Sequence, residues 1–263
     1  MQQGSDAWLD LRSKHAITWS EAANAVGIGY DSPKQYMKRK LGMTPSKESN
    51  WRMTEGQKRE PWAAEIYYQL MNHHFDMPVK LYTDSFRSDW QDKRLGGSVD
   101  RICRNEQGEE WILEIKTTPG SPVMRDEIPI SHLLQMHGLC HTYKVQKAHY
   151  FCWTASVGIL MAEVMFADEL WDEILYPRYK SFADMWALRT LPARNTMSKD
   201  DKEEFIEDIR ACCSIEPVFI EPSQVEQLPT PPQTPASTPC CQYSPPSSDR
   251  DCSSSQAESW SPE

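Results

Sequence analysis

The chain has 263 residues, with 28 Lys+Arg against 38 Asp+Glu and a formal net charge of −10. That length fits about one or two domains, and no apolar run approaches the ~20 residues of a bilayer span. A membrane protein and a secreted one are both poor readings, because Asp10 and Arg12 interrupt Trp8, Leu9 and Leu11 and leave an amphipathic start rather than a secretory core.

In chain order, residues 19–27 show helical spacing (Trp19, Ala22, Ala23, Val26), with Ser20 near the N-cap and Gly27 near the C-cap. A second helix over 33–41 begins with Pro33, suited to a first helical turn. A longer one over about 52–71 buries Trp62, Ile66, Tyr67 and Leu70, and Pro61 inside it predicts a bend or a late start. Residues 95–102 and 110–116 read as two strands of a hairpin, joined by Asn105-Glu106-Gln107-Gly108. Then come a helix at about 130–143, strands at 148–154 and 159–166, and helical stretches at about 167–189 and 199–211. Helices around a few central strands predict an α/β domain over residues 1–212.

From Glu221 onward the 43 residues hold nine Pro, ten Ser and three Thr, too little apolar area to offset the entropy of ordering. Residues 221–263 are expected to be a disordered acidic Pro/Ser-rich tail. Residues 200–263 carry 13 acidic side chains against Lys202, Arg210 and Arg250, which is the whole imbalance, so residues 1–199 are neutral. Acidity therefore argues against nucleic acid only for the tail. The eight cysteines contain no C-x₂-C pair and read as reduced thiols of an intracellular protein, nuclear or cytoplasmic, rather than a zinc or iron–sulfur site.

The chemistry concentrates in Gly97-Ser98-Val99-Asp100 and Trp111-Ile112-Leu113-Glu114-Ile115-Lys116. Side chains alternate along a strand, so Glu114 and Lys116 share one face, about 7 Å apart. If the hairpin closes near Gly108, Asp100 returns toward Glu114. Two carboxylates at one point of an apolar sheet repel each other and lose hydration. A divalent cation with hard oxygen ligands resolves that conflict, and Mg²⁺ also binds phosphate. A lysine beside it can orient a water and steady charge developing on phosphorus. Alone, E-x-K on a strand reads more readily as a solvated, charge-paired face.

Asp100 followed by Glu114-Ile115-Lys116 resembles the PD-(D/E)xK nuclease core, and more closely the lambda exonuclease type, the YqaJ viral-recombinase family. Four further segments resemble the family in its own order: Trp8 to Arg12 with Ile17-Thr18-Trp19-Ser20; Gly56 with Glu60-Pro61; Gly97 to Asp100, where Val99 replaces the frequent Pro; and Gln135-Met136-His137 with Trp153-Thr154. The resemblance spans about residues 5–160. It implies a restriction-endonuclease-like core, a small mixed sheet flanked by helices. It also implies Asp100, Glu114 and the Ile115 carbonyl as ligands of Mg²⁺ or Mn²⁺, Lys116 positioning the attacking water, and Glu60 reaching the site from its helix. Arg12, Ser20, Ser98 and Gln135 would form a pocket for a DNA 5′-phosphate, with Lys14 as the alternative cation to Arg12.

The expected activity is 5′-to-3′ exonuclease action on linear duplex DNA in recombination or repair. The resemblance also implies a ring-shaped homotrimer and leaves room for a single-strand annealing partner. The competing readings are an endonuclease, a nuclease that also cuts RNA, and a non-catalytic scaffold that keeps the fold. His73, His74, His137 and His141 read as packing rather than ligands. Lys38-Arg39-Lys40 reads as a solvated helix face before a contact to DNA backbone.

Overall fold

The structure, a computed structural model, describes residues 4–45, 51–118, 127–154, 157–193 and 197–221, with Ser223, Cys241 and Gln242. Most of the stretch expected to be a tail lies outside the described residues.

Ser5 caps helix α1 (Asp6–Ser13) by accepting from the Trp8 amide. The short strand β1 (Ile17–Thr18) leads into a 3₁₀ turn (Trp19–Glu21) and the one-turn helix α2 (Ala22–Ala25), ended by Gly27 at φ +86°. The helix expected over 19–27 is therefore split. A capping box of Ser32 and Gln35 and the N-terminal Pro33 start α3 (Pro33–Lys40). Helix α4 (Trp51–Gln69) runs straight into a π-helical turn (Leu70–His74). It starts well before Pro61, so the late start does not occur. Pro61 and Gln57 both lie on the exposed face, where the carbonyl that the missing proline N–H leaves without a helical partner is open to solvent.

Next come β2 (Val79–Thr83), β3 (Arg87–Ser88), β4 (Leu95–Gly97), β5 (Arg101–Asn105) and β6 (Glu110–Thr117). Then follow α5 (Ile130–Tyr143), β7 (Lys147–Thr154), β8 (Gly158–Met165), a second π-helical turn (Leu170–Leu175), α6 (Tyr176–Ala187), α7 (Lys199–Cys212), β9 (Ile215–Ile220) and β10 (Cys241–Gln242). Seven strands form the main sheet in the order β10-β2-β5-β6-β7-β8-β9, with β6 and β7 parallel and the β5–β6 hairpin antiparallel. The sheet is mixed, as expected, but larger: β2, β9 and β10 were not read from the sequence. Strand β9 carries the folded chain past residue 212, and the two-residue β10, inside the stretch expected to be a disordered tail, pairs parallel with β2. A three-stranded sheet, β1-β4-β3, stands beside it.

The segment read as one strand over 95–102 is broken at Ser98–Asp100. Gly96 and Gly97 pair with β1 and β3 in the small sheet, and Arg101 opens the next strand in the large one. The crossing between the sheets is where Asp100 lies.

Helices cover both faces of the main sheet. Trp111, Leu113 and Ile115 pack with Ala63, Ala64, Ile66, Tyr67 and Leu70 of α4. Ile102 and Ile112 face the larger core, which includes α5 and residues of α2, α3, α6 and α7. Helix α5 is buried along most of its length because the sheet and other helices surround it, and its polar residues Gln135, His137, His141 and Thr142 are buried with it. His137 and His141 belong to this packing: His137 Nδ1 bonds the Leu133 carbonyl, and His141 Nδ1 bonds Asp89 at 2.8 Å while its ring stacks on Trp171. Among the described residues no helix is long and apolar enough to cross a membrane.

Candidate active site

The register of the hairpin pairs Arg101 with Leu113 and Ile102 with Ile112. Asp100, one step before β5, therefore stands opposite Glu114. Its Oδ2 accepts the Ile115 amide at 2.7 Å, so a side chain takes over the ladder where the strand has ended. Glu114 is 1% exposed. Its Oε1 accepts from Lys116 Nζ and, at 2.7 Å, from Gln135 Nε2 on α5. Its Oε2 is buried and has no hydrogen-bond partner. The alternation read from the sequence holds: Glu114 and Lys116 face α5, and Leu113 and Ile115 face α4.

Glu60 approaches from α4, on the other face. Its Oε1 accepts from Arg101 Nη1 at 2.8 Å, and the same Nη1 donates to the Asp100 carbonyl. Arg101 thus ties the helix to the crossing segment. Sequence reasoning passed over it, because nothing in its local pattern shows that an acid on a distant helix awaits it.

Three carboxyls in one region resist ionisation. Burial pushes Glu114 up to about 8, with Asp100 and Glu60 adding to the rise against the pull of Lys116. Burial and Asp100 push Glu60 up to about 7, against Arg101 and Lys116. Burial raises Asp100 as well, outweighing Lys116, the Ile115 amide and Arg101. For Lys116, burial works against the charge, but Glu114 and Asp100 together more than offset it and raise its pKa.

The residues gathered here fit a divalent cation in their donor chemistry. Their donors are hard oxygens, one of them the unpartnered buried Oε2 of Glu114, and Lys116 and Arg101 together supply less positive charge than three ionised carboxylates carry. The ligands expected from the sequence, Asp100, Glu114 and the Ile115 carbonyl, would supply two carboxylates and one neutral oxygen. Among the described residues no three His, Cys, Asp or Glu side chains converge to hold a metal.

A second cluster lies at the junction of α1 and the small sheet. Arg12 Nη2 donates to Thr18 Oγ1 at 3.2 Å and Ser20 Oγ at 3.0 Å, and its guanidinium lies 4.3 Å over the Trp8 ring. Trp8 Nε1 donates to Ser98 Oγ at 2.9 Å. Arg12, Ser20 and Ser98 are thus linked through Trp8, and Ser98 is two residues from Asp100. Gln135 is placed differently, on Glu114 and, at 3.4 Å, Lys116. Lys14, the alternative to Arg12, is an exposed partner of Asp10. Trp8 and Thr18 were in the matched segments but were not read as site residues.

Two glycines let these parts approach. A Cβ on Gly138 of α5 would lie 2.3 Å from the Trp19 ring, and one on Gly97 of β4 would lie 2.6 Å from it. Trp19 is thereby wedged between the strand that leads to Ser98 and Asp100 and the helix that carries Gln135.

A model of the YqaJ-like viral recombinase domain matches residues 7–155. Among solved structures, the alkaline exonuclease LHK-Exo of Laribacter hongkongensis superposes with a TM-score of 0.54 at 15% identity, covering 79% of this chain and 97% of that one. The structure of LHK-Exo in complex with dAMP superposes with a TM-score of 0.52 at 14% identity, with the same coverage. At those identities the likeness is one of fold. No curated protein sequence matches the chain.

Proposed function

The chain belongs to the YqaJ-like viral recombinase domain family, and from that premise we propose that it is a divalent-cation-dependent deoxyribonuclease that digests linear duplex DNA from a 5′-phosphorylated end. The observation that carries this reading is Glu114: a fully buried carboxyl opposite Asp100, bonded to Lys116, with one oxygen left without a partner. Such a group is costly in a protein that only folds, and useful in one that loads a cation.

Asp100, Glu114 and the Ile115 carbonyl would hold Mg²⁺ or Mn²⁺, which when bound supplies positive charge against the scissile phosphate. Lys116, kept charged by the two carboxylates, would orient the attacking water and steady the developing negative charge. Gln135 fixes the rotamer of Glu114 by donating to Oε1. Glu60 positions Asp100 through Arg101 and stays available to a water on that side. Arg12, Ser20 and Ser98 would receive the end phosphate, to which a guanidinium and short hydroxyls are matched.

Further parts of the reading are 5′-to-3′ polarity, a homotrimer enclosing the duplex, a single-strand annealing partner, and a role in recombination or repair inside the cell. Cys103, Cys140, Cys152, Cys212 and Cys213 form no disulfide, which suits a reducing compartment.

The test uses the full chain with Mg²⁺ on 5′-phosphorylated linear duplex and on covalently closed circles. Mononucleotide release from the linear DNA alone is expected. Glu114→Ala and Lys116→Ala should each lower the rate by at least ~10²-fold while leaving thermal unfolding cooperative. Cleavage of closed circles would replace the exonuclease by an endonuclease, and undiminished activity in both variants would remove the site.

A further inference from the structure

Beside the second cluster, two half-buried cations, Arg12 and Lys40, adjoin without a direct ion pair among the described residues, and the one acid that acts on both, Glu21, is shared with Arg39. Arg12 gives its Nη2 to two neutral hydroxyls, and Lys40, at the end of α3, donates from Nζ to the Arg12 carbonyl at 3.1 Å. Among the described residues no carboxylate lies within salt-bridge distance of either. The acids nearby are committed elsewhere: Arg39 takes Glu21 at 2.6 Å and Asp31 at 2.5 Å, and Lys14 takes Asp10. Arg12, Arg39 and Lys40 against Glu21 and Asp31 leave one positive charge in excess. Burial pushes the Lys40 ammonium down to about 8, with Glu21 opposing and Arg12 and Arg39 adding to the fall, and burial also lowers Arg12. Holding two like charges half out of water is unfavourable unless an anion arrives. The cluster opens to solvent at Ser20, which is exposed.

The sequence reading of Lys38-Arg39-Lys40 as a solvated helix face separates at this point. Arg39 is a structural tie, and Lys40 turns inward. We propose that Lys40 is the second cation of the end pocket: with Arg12 it forms a dicationic cradle that selects a terminal phosphate monoester, a dianion, over the singly charged diester within a strand. This rests on the reading of Arg12, Ser20 and Ser98 as the pocket for a DNA end. Lys40 acts by binding that phosphate and takes no part in cleavage.

Binding is measured by fluorescence anisotropy in chelator, where nothing is cut, on duplexes that differ only in a 5′-phosphate or 5′-hydroxyl. The variants are Lys40→Gln, which keeps a donor without the charge, and Lys40→Arg, which keeps the charge. The wild type should prefer the phosphorylated end by roughly tenfold or more, and Lys40→Gln should lose about tenfold in that ratio with hydroxyl-end affinity unchanged. Lys40→Arg should retain most of the preference. Inorganic phosphate should displace the phosphorylated duplex from the wild type and not from Lys40→Gln, whereas displacement only by longer DNA would point to the diester backbone and overturn the proposal. With Mg²⁺, Lys40→Gln should raise KM on phosphorylated ends about tenfold while kcat stays within about twofold.

A folded Lys40→Gln that keeps the full ratio overturns the proposal, as does one that weakens both ends equally, since that marks a mere fastener of α3 to α1. A wild type that discriminates ends as stated but cuts no DNA with Mg²⁺ would sink the nuclease and leave the cradle. One that cuts DNA while Lys40→Gln discriminates normally would do the reverse.

Discussion

Burying Glu114 between Gln135 and Lys116 sets how the metal-free protein responds to pH. Its pKa is about 8 in the fold against an ordinary value of 4.5. Across that interval the folded state binds a proton that the unfolded chain has lost, so this residue lowers stability as pH rises from about 4.5 to about 8. Replacing it by Gln removes the linkage. The expected outcome is that Glu114→Gln gains on the wild type from pH 5 to pH 8 by on the order of 1 kcal/mol, read by urea denaturation in chelator. A difference flat with pH would mean that Lys116 already keeps the carboxylate ionised. Excess Mg²⁺ should reverse the sign, because only the ionised wild-type site gains from the cation. Alternation along a strand made Asp100, Glu114 and Lys116 legible in the sequence. It could not show Arg101 reaching Glu60, or Gln135 settling on Glu114 rather than with Arg12, since each depends on what another element brings to that face.

At the level of elements, the site is held by a close approach. Trp19 is 1% exposed, its indole donates to Thr142 at 2.8 Å, and Gly97 and Gly138 give it room on two sides. A methyl at position 138 has to displace a ring packed edge-on against Trp171 and Tyr179. Gly138→Ala should therefore cost about 1–3 kcal/mol by chemical denaturation, as overpacking of a filled core does. It should also lower cleavage more than Gly108→Ala, because Gln135 moves with α5, whereas an alanine at Gly108 is strained by its φ of +82° but meets no neighbour and lies in the hairpin turn away from Glu114. Equal stability of Gly138→Ala and wild type would show that Trp19 can repack.

The elements that the sequence disclosed best, α5, β7 and β8, are long and mostly buried. Strand β9 was missed because Glu216 and Pro217 interrupt it, and it survives as an edge strand, where proline is tolerated. The break at Ser98–Asp100 was missed for the opposite reason: β4 and β5 are adjacent in sequence and read as one strand, but belong to different sheets.

Over the whole molecule, charge is arranged to spare the surface. Residues 1–199 carry equal numbers of acids and bases, and many of the cations sit in pairs: Arg94 with Asp92 and Asp184, Arg101 with Glu60, Arg104 with Glu110, Lys147 with Glu109 and Glu163. The cations turned inward at the proposed cleavage and end-binding sites are Arg12, Lys40 and Lys116. A protein that grips duplex DNA by its outer charge releases many counterions. One that relies on a few interior cations releases few. With about three phosphates neutralised, the logarithm of affinity for 5′-phosphorylated duplex should fall with the logarithm of salt at a slope of about −3, and Lys40→Gln should flatten it by about 1. Anisotropy titrations in chelator from about 50 to 200 mM NaCl read both values. A slope near −10 would instead require a broad basic track and would place the principal DNA contacts away from Arg12 and Lys40. At the shallow slope, non-specific affinity at physiological salt is weak. In the proposed homotrimer, retention on DNA would then depend on the captured end and on enclosure of the duplex, so processivity should fall more steeply on dilution below the assembly concentration than on addition of salt.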